Sequence, residues 1–421
     1  MKIKELKNKI QEYQYFEDTN IIDVSVASVI ATRLQIGDPV WLIVIGASSG
    51  GKSQILRPIS LTDSKFLHRI DDLTESTFLS GAKTKVGDNP SLLSRIGTKG
   101  MLVISDLTVL FSKNAETRST IMSQFRMLYD GEMVKYTGNS STPISWKGYL
   151  GILAGSTPSI YNSFEEVADM GERFIYYRMQ EYDPAKATVL AMNRKLYGKE
   201  LDNKLAEFYS DYIKEVVLSY DNEPIELSEE TQDRILQIAQ FAEKVRTPVK
   251  TDWKGEIVTK IPISAMPMRV ALQLTTIAKA LMIIRNYEEE DFGTRDLDII
   301  DHCGWSLANE EKRACLKQLA QIGYSVYATT QFIADKIGLA TAVVGNILQN
   351  LASVGILERS GDSGSLKWRI KKESEWKIIR RIENIDEIDD VEDRDITTEE
   401  DEDKAKNQAL DNFIKETKKP F

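Results

Sequence analysis

Val40 to Ser53, VWLIVIGASSGGKS, is the stretch whose reading decides the fold. Six consecutive apolar residues, Val40 to Ile45, read as a strand buried on both faces, the pattern of a parallel sheet packed between helices. The run passes directly into Gly46–Ser53, which fits G-x-x-x-x-G-K-[ST], and QILRPIS behind it begins a helix. The residue types follow from the chemistry. Gly46, Gly50 and Gly51 let the main chain bend until its N–H groups line a concavity suited to phosphate. The start of the following helix adds partial positive charge. Lys52 reaches the β- and γ-phosphates, and the Ser53 hydroxyl ligates Mg²⁺. The expected cofactors are ATP and Mg²⁺, bound by Gly46, Ser49, Gly50, Gly51, Lys52, Ser53 and Gln54.

Working outward, three more apolar runs read as strands of the same sheet: MLVISD (Met101 to Asp106), YLGILAGS (Tyr149 to Ser156) and RFIYYRM (Arg173 to Met179). An α/β fold is therefore expected over residues 39–183. An ATPase needs a carboxylate near the metal at the end of a neighbouring strand, and Asp106 stands there. It is preceded by Ser105 rather than by a second acid. Either Asp106 holds the metal shell and the base comes from elsewhere, Glu75 being one candidate, or Ser105 faces the metal and Asp106 orients water. Ser156 and Thr157 end the next strand, where a hydroxyl can hydrogen-bond the γ-phosphate or the attacking water. Between these strands, MVKYTGNSSTPISWKGYL places two β-prone runs around a turn-rich tip and reads as a β-hairpin.

Length and charge bound the rest. The 421 residues suffice for two or three domains, and 42% hydrophobic content supports a real core. No apolar run approaches the roughly 18 residues of a membrane helix, and the charged amphipathic N-terminus lacks a signal core. A soluble protein of the bacterial host cytoplasm is the expectation. Two cysteines, Cys303 and Cys315, are too few for a disulfide framework or a four-ligand zinc site. Residues 383–403 hold 13 acids against one arginine, a net of −12. The other 400 residues therefore sum to +2 against a whole-chain charge of −10. The folded body is near neutral, and its acidic pI does not exclude a DNA partner.

The order of these parts resembles the AAA+ ATPases of the hairpin-bearing clade that includes the minichromosome maintenance helicases, and most of all those encoded by phages and mobile elements. The carrying residues are the phosphate loop, the strand ending in Asp106, QFRMLYDG, the hairpin, the strand ending in Ser156, and GERFIYYR. The resemblance covers residues 20–183 well and 184–372 loosely. It implies a homo-oligomeric ring, usually a hexamer, with ATP held between neighbours. It implies DNA as substrate and helicase or translocase activity in replication, or else an ATP-switched initiator or loader that remodels DNA without unwinding. On the same basis Arg173 is the expected arginine finger, acting on a neighbour's γ-phosphate, and Arg269 the expected lid arginine. Arg126 is a further candidate, more structural in character. The hairpin is expected to grip DNA through Lys135 and Lys147, with Tyr136 and Trp146 either stacking on bases or packing on each other.

The remaining boundaries are expected as a helical lead-in over 1–38, a helical lid over 184–305 and a winged helix over 308–372. Within the last, Ile333, Ile337, Val344, Leu348 and Leu351 form an apolar helical face, Gly338 separates two helices, and ILERSGDSGSLKWRI makes a strand, turn and strand. No charged residue lies between Gly338 and Leu357, so the helix expected to meet DNA offers Asn346, Gln349 and Asn350 but no cation. The wing supplies Arg359, Lys367, Arg369, Lys371 and Lys372 instead, which favours non-specific phosphate contact, or a protein contact, over base readout. The segment 383–421 is acidic, poor in aromatics and expected to be disordered. It ends in a short amphipathic stretch with Leu410, Phe413 and Ile414 that suits docking of a replication partner.

Overall fold

The computed structural model describes residues 1–48, 50–80, 91–136, 143–163, 173–180, 183–249, 266–286, 294–361, 366–385 and 395–396. The chain divides into two compact units, Met1–Ile235 with Met268–Ser306, and Leu236–Pro267 with Leu307–Phe421.

The first unit is built on a five-stranded parallel sheet. Its strands are β1 (Trp41–Ile45), β2 (Leu67–Ile70), β3 (Lys99–Ile104), β6 (Tyr149–Ser156) and β7 (Ile175–Arg178), in the order β2-β3-β6-β1-β7. Every neighbouring pair is parallel. All five residues of β1 are buried, as its unbroken apolar run requires. A separate antiparallel hairpin joins β4 (Glu132–Lys135) to β5 (Ile144–Lys147), with Glu132 opposite Lys147 and Met133 opposite Trp146. The four expected strands are present. β2 was not foreseen, because its LHRI sequence alternates burial over only four residues.

The 1–38 segment is no mere lead-in. Helix Asn20–Leu34 is predominantly apolar and buried from Ile21 to Thr32, the mark of a core helix. It packs on the sheet and on helix Met268–Ile284. Nor does 184–305 stand apart, since Gly198–Ser219 packs on helices Lys52–Ser60 and Asn20–Leu34. Gln273, fully buried on Met268–Ile284, receives the Trp41 N–H at 3.0 Å and donates to the Arg173 carbonyl at 3.1 Å. That places the start of this helix at the amino-terminal edge of β1 and β7. Trp41 anchors an aromatic cluster with Phe125, Tyr129 and Phe174, the centroids 5.1–5.7 Å away.

A buried ion network joins four helices of this unit. Asp23, on Asn20–Leu34, pairs with Lys7 of Ile3–Gln11. Arg285, directly after Met268–Ile284, reaches Asp23 at 3.1 Å and Asp296 of Thr294–Trp305 at 2.8 Å. Burial lowers the Lys7 pKa despite Asp23, and raises that of Asp296 despite Arg285.

In the second unit, helices Glu310–Ile322, Thr330–Ile337 and Thr341–Ser353 precede the antiparallel pair β9 (Leu357–Ser360) and β10 (Lys367–Ile370). β10 also pairs with β8 (Tyr327–Thr329). Thr330–Ile337 ends on Gly338 at φ +71°, a left-handed position that glycine takes without strain. Ile333, Val344, Leu348 and Leu351 are buried as expected, while Ile337 is only partly so. Residues 362–365, which include the Gly/Ser turn expected between the two strands, lie outside the described residues, as does most of the acidic segment, including Leu410, Phe413 and Ile414. Within that segment Asp395–Ile396 pairs in parallel with β8 as β11.

Lys312, at the start of Glu310–Ile322, donates to the Val245 carbonyl at 2.6 Å, and burial pushes its ammonium down to about 8. Between that value and the ordinary 10.5 the unfolded chain binds more protons than the folded one. The lysine's contribution to stability is therefore full above pH 10.5 and is lost as pH falls through about 8. A Lys312→Met variant should gain stability relative to the parent at pH 7, by roughly 2–3 kcal/mol, with the gap closing by alkaline pH. Denaturant midpoints of both proteins across that range check it. A pH-independent gap would show that the lysine does not titrate there.

Candidate functional site

The phosphate-loop sequence sits at the carboxyl end of the parallel sheet. β1 departs toward β2, while β6 returns past β1 to β7, so the two neighbours leave the sheet in opposite directions. A crevice for ligands opens where strands of a parallel sheet diverge in this way. The loop turns tightly: Gly46 N–H donates to the Ser156 carbonyl at 3.1 Å and Gly50 N–H to the Ala47 carbonyl at 2.9 Å. Gly51 stands at φ +85°, a conformation that a side chain would strain. It begins helix Lys52–Ser60, and no side chain caps that helix start. The Gln54 N–H donates to the Gly51 carbonyl at 2.9 Å, and a helix start of this kind favours an anion.

Lys52 is 8% exposed, and its ammonium donates to the carbonyls of Gly46 and Ala47, both at 2.7 Å. Burial lowers its pKa, while the charge of Asp106 acts the other way. Asp106 and the loop lysine thus share one electrostatic neighbourhood. Ser53 and Gln54 are exposed beside them. Ser49 lies outside the described residues.

The exits of β3 and β6 are joined by hydrogen bonds that the sequence did not disclose. Asp106 accepts from the Thr108 N–H at 2.9 Å. The Thr108 hydroxyl meets Ser156 Oγ at 3.2 Å and Thr157 Oγ1 at 3.4 Å, and accepts from the Thr157 N–H at 3.1 Å. Leu107 N–H also donates to the Gly155 carbonyl at 2.7 Å. Ser156 is fully buried and lies opposite Ile45 in the sheet register. The structure therefore brings Lys52, Asp106, Ser156 and Thr157 to one end of three adjacent strands. Thr108 left no signal in the sequence beyond being a hydroxyl two residues after Asp106.

Ser105 turns elsewhere. Its hydroxyl donates to Asp71 at 2.6 Å and accepts from Arg69 at 3.1 Å. Of the two arrangements open at sequence level, this favours Asp106 as the acid facing the loop. Glu75 accepts from Thr117 Oγ1 at 2.9 Å, and its carbonyl from Gln124 at 2.8 Å. Among the described residues, the hydrogen bonds of Glu75 run to Thr117, Gln124 and Lys135 and not to the loop.

Arg173 differs from the expectation of an arginine presented to a neighbour. It is 6% exposed, gripped by both Asp130 oxygens at 3.1 Å, and set against the Tyr129 ring. Arg269 is not beside the phosphate loop either. Both Arg269 and Arg126 act electrostatically on Arg173, whose pKa is lowered by burial first and by these cations in addition, against Asp130. Arg126 and Arg269 thus lie within electrostatic reach of Arg173, whose partner Asp130 is itself 57% exposed. The cluster lies at the amino-terminal edge of the sheet, because Arg173 precedes β7 and Arg269 opens the helix that reaches β1 through Gln273.

The hairpin is formed, but two of its residues have structural duties. Lys135 donates to the carbonyls of Glu75 and Leu79 at 3.3 and 3.2 Å, so its ammonium is pinned to the 74–80 loop. Trp146 is 7% exposed and donates from its indole to the Gly97 carbonyl, which removes it from base stacking. Lys147 is exposed and Tyr136 is 81% exposed. The tip, residues 137–142, lies outside the described residues. On β10, Arg369 pairs with Glu358 of β9 at 3.3 Å and covers the Tyr327 ring, while Lys367 is half-buried.

Among the described residues there is no cluster of three or more His, Cys, Asp or Glu suited to a metal ion. Cys303 and Cys315 are buried thiols, the latter pushed up to about 12 by burial. No described helix is by itself long and apolar enough to cross a membrane. No family model matches the chain, and no curated protein matches it significantly.

Proposed function

We propose that the chain is an ATPase of the AAA+ kind that holds Mg-ATP at the carboxyl end of its parallel sheet and works on DNA as a ring. The observation that carries this reading is the convergence of the glycine loop, Lys52, Asp106 and Ser156 at adjacent strand ends, with β6 between β1 and β3. The donor set suits the ligand. Loop N–H groups and Lys52 meet the phosphates, and Ser53 with Asp106 would hold Mg²⁺ together with phosphate oxygens and water. The metal would neutralise charge developing on the transferred phosphoryl group. Ser156 and Thr157 would sense the γ-phosphate.

The ring and the DNA substrate are supported by different features. Arg126, Arg173 and Arg269 gather away from the chain's own loop, where a neighbour's triphosphate would find cations. Arrival of that anion would exchange the exposed Asp130 carboxylate for phosphate. The hairpin offers Tyr136 and Lys147 to a nucleic acid strand, and the three-helix module with its β9–β10 wing has winged-helix order. A helicase or translocase serving replication of a phage or mobile genetic element is the activity these parts fit.

A second reading, an ATP-switched initiator or loader, is favoured by one observation. Asp106 is flanked by Ser105 and Leu107, so neither neighbour supplies the second carboxylate that would speed hydrolysis, and Ser105 is occupied with Asp71 and Arg69. ATP turnover with and without single- and double-stranded DNA, alongside particle mass with nucleotide bound, tests both. Mg²⁺-dependent turnover stimulated by DNA, in a particle several times 47.6 kDa, is expected. Absence of nucleotide binding removes the first reading entirely. DNA binding that needs ATP but no strand displacement selects the second.

A further inference from the structure

We propose that Thr108 is a positioning residue that locks Asp106 and the Ser156–Thr157 pair into one unit, so that the metal-side acid and the γ-phosphate sensor respond together. The inference rests on the nucleotide reading above. Its geometry is specific. The Thr108 main chain donates to Asp106 at 2.9 Å, and its side chain engages Ser156 and Thr157 at 3.1–3.4 Å. One residue thereby bridges two strand exits about fifty positions apart in the chain.

The hydroxyl has one proton and two acceptor sites. One acceptor site takes the Thr157 N–H. The proton and remaining lone pair are shared with Ser156 Oγ and Thr157 Oγ1. Ser156 is fully buried, and its other hydrogen bond goes to the adjacent Thr157 carbonyl at 3.2 Å. Removing the Thr108 hydroxyl frees the Ser156 hydroxyl to turn fully toward that carbonyl and away from a phosphate. The Thr108 N–H survives any substitution except proline, so Asp106 keeps its own hydrogen bond. The loss falls on the coupling between the two exits, not on either group alone.

The test compares Thr108→Val, which keeps the shape, Thr108→Ala, which loses it, and Thr108→Ser, which restores the hydroxyl, all in the full chain with Mg-ATP as probe. Thr108→Val and Thr108→Ala should lower kcat by about 10- to 100-fold while ATP affinity and KM change less than about threefold. Thr108→Ser should recover turnover to within about threefold of the parent. Unchanged kcat in Thr108→Val, parallel loss of binding and turnover, or failure of Thr108→Ser to recover would each overturn the proposal. Were Thr108→Val not to fold, the Ala and Ser variants decide the same question. A parent chain that turns over ATP while Thr108→Val does so equally sinks only the positioning role. A parent that does not bind Mg-ATP sinks the nucleotide reading and this inference with it.

Discussion

Lys52→Ala should abolish ATP turnover, lowering it by at least 100-fold, and should weaken Mg-ATP binding as well. The expectation follows from what the side chain does without ligand. Its ammonium is buried and donates to two loop carbonyls, Gly46 and Ala47, at 2.7 Å. Burial already disfavours its charge. A triphosphate offers a far stronger partner a short swing away, and charge-assisted hydrogen bonds in a partly desolvated site each contribute about 1.5–3 kcal/mol. In the transition state, where charge spreads over the phosphoryl oxygens, losing one such donor costs about 3–4 kcal/mol, which sets the 100-fold floor. Alanine also leaves the two carbonyls without their donor, so the empty loop should become less stable. Steady-state turnover and equilibrium binding of a fluorescent ATP analogue, measured side by side, check this. Normal turnover in the variant would reject the loop as the phosphate site.

The second large effect is on stability. Asp23→Ala should destabilise the first unit by about 3–5 kcal/mol, the usual cost of removing one partner from a buried ion pair. Asp23 is fully buried between Lys7 and Arg285, which are themselves only 6% and 9% exposed. Arg285 retains Asp296, so Lys7 bears most of the loss. Replacing Asp23 and Lys7 together by leucine should recover much of the deficit, because no uncompensated charge then remains. Guanidinium denaturation of the three proteins measures both quantities. A loss below about 1 kcal/mol in Asp23→Ala would mean that solvent reaches the network. The network also ties residues 7 and 23 to residues 285 and 296, so the amino-terminal helices should unfold with the sheet and not before it.

Much of this was legible in the residues, and the reason is range. A strand buried on both faces must be apolar along its length, so β1, β3, β6 and β7 announce themselves in single runs. A phosphate loop is a local device, its glycines, lysine and serine all within eight positions. The hairpin and the Gly338 helix end are likewise set by neighbours a few residues away. β2 escaped because a four-residue edge strand with partly exposed His68 and Arg69 carries no such run. Helix Asn20–Leu34 was visible as a helix, but its place in the core was not assigned.

Side-chain employment is where local patterns stop informing. Lys135 and Trp146 looked like hairpin contacts for DNA until the 74–80 loop and Gly97 proved to hold them. Arg173 looked like a cation awaiting a neighbour, yet Asp130, 43 positions earlier, is folded against it. Arg126 and Arg269 come within electrostatic reach of Arg173 at one edge, and Asp106, Thr108 and Ser156 meet at the other, because strand order β2-β3-β6-β1-β7 brings distant segments side by side. The sequence by itself determined the α/β class, the glycine-rich loop after β1 and the strands around it, since burial period and turn chemistry act over a few residues. Tertiary structure alone decided which charged and hydroxyl groups face one another, because pairing depends on through-space neighbours that separations of 40 to 260 residues conceal.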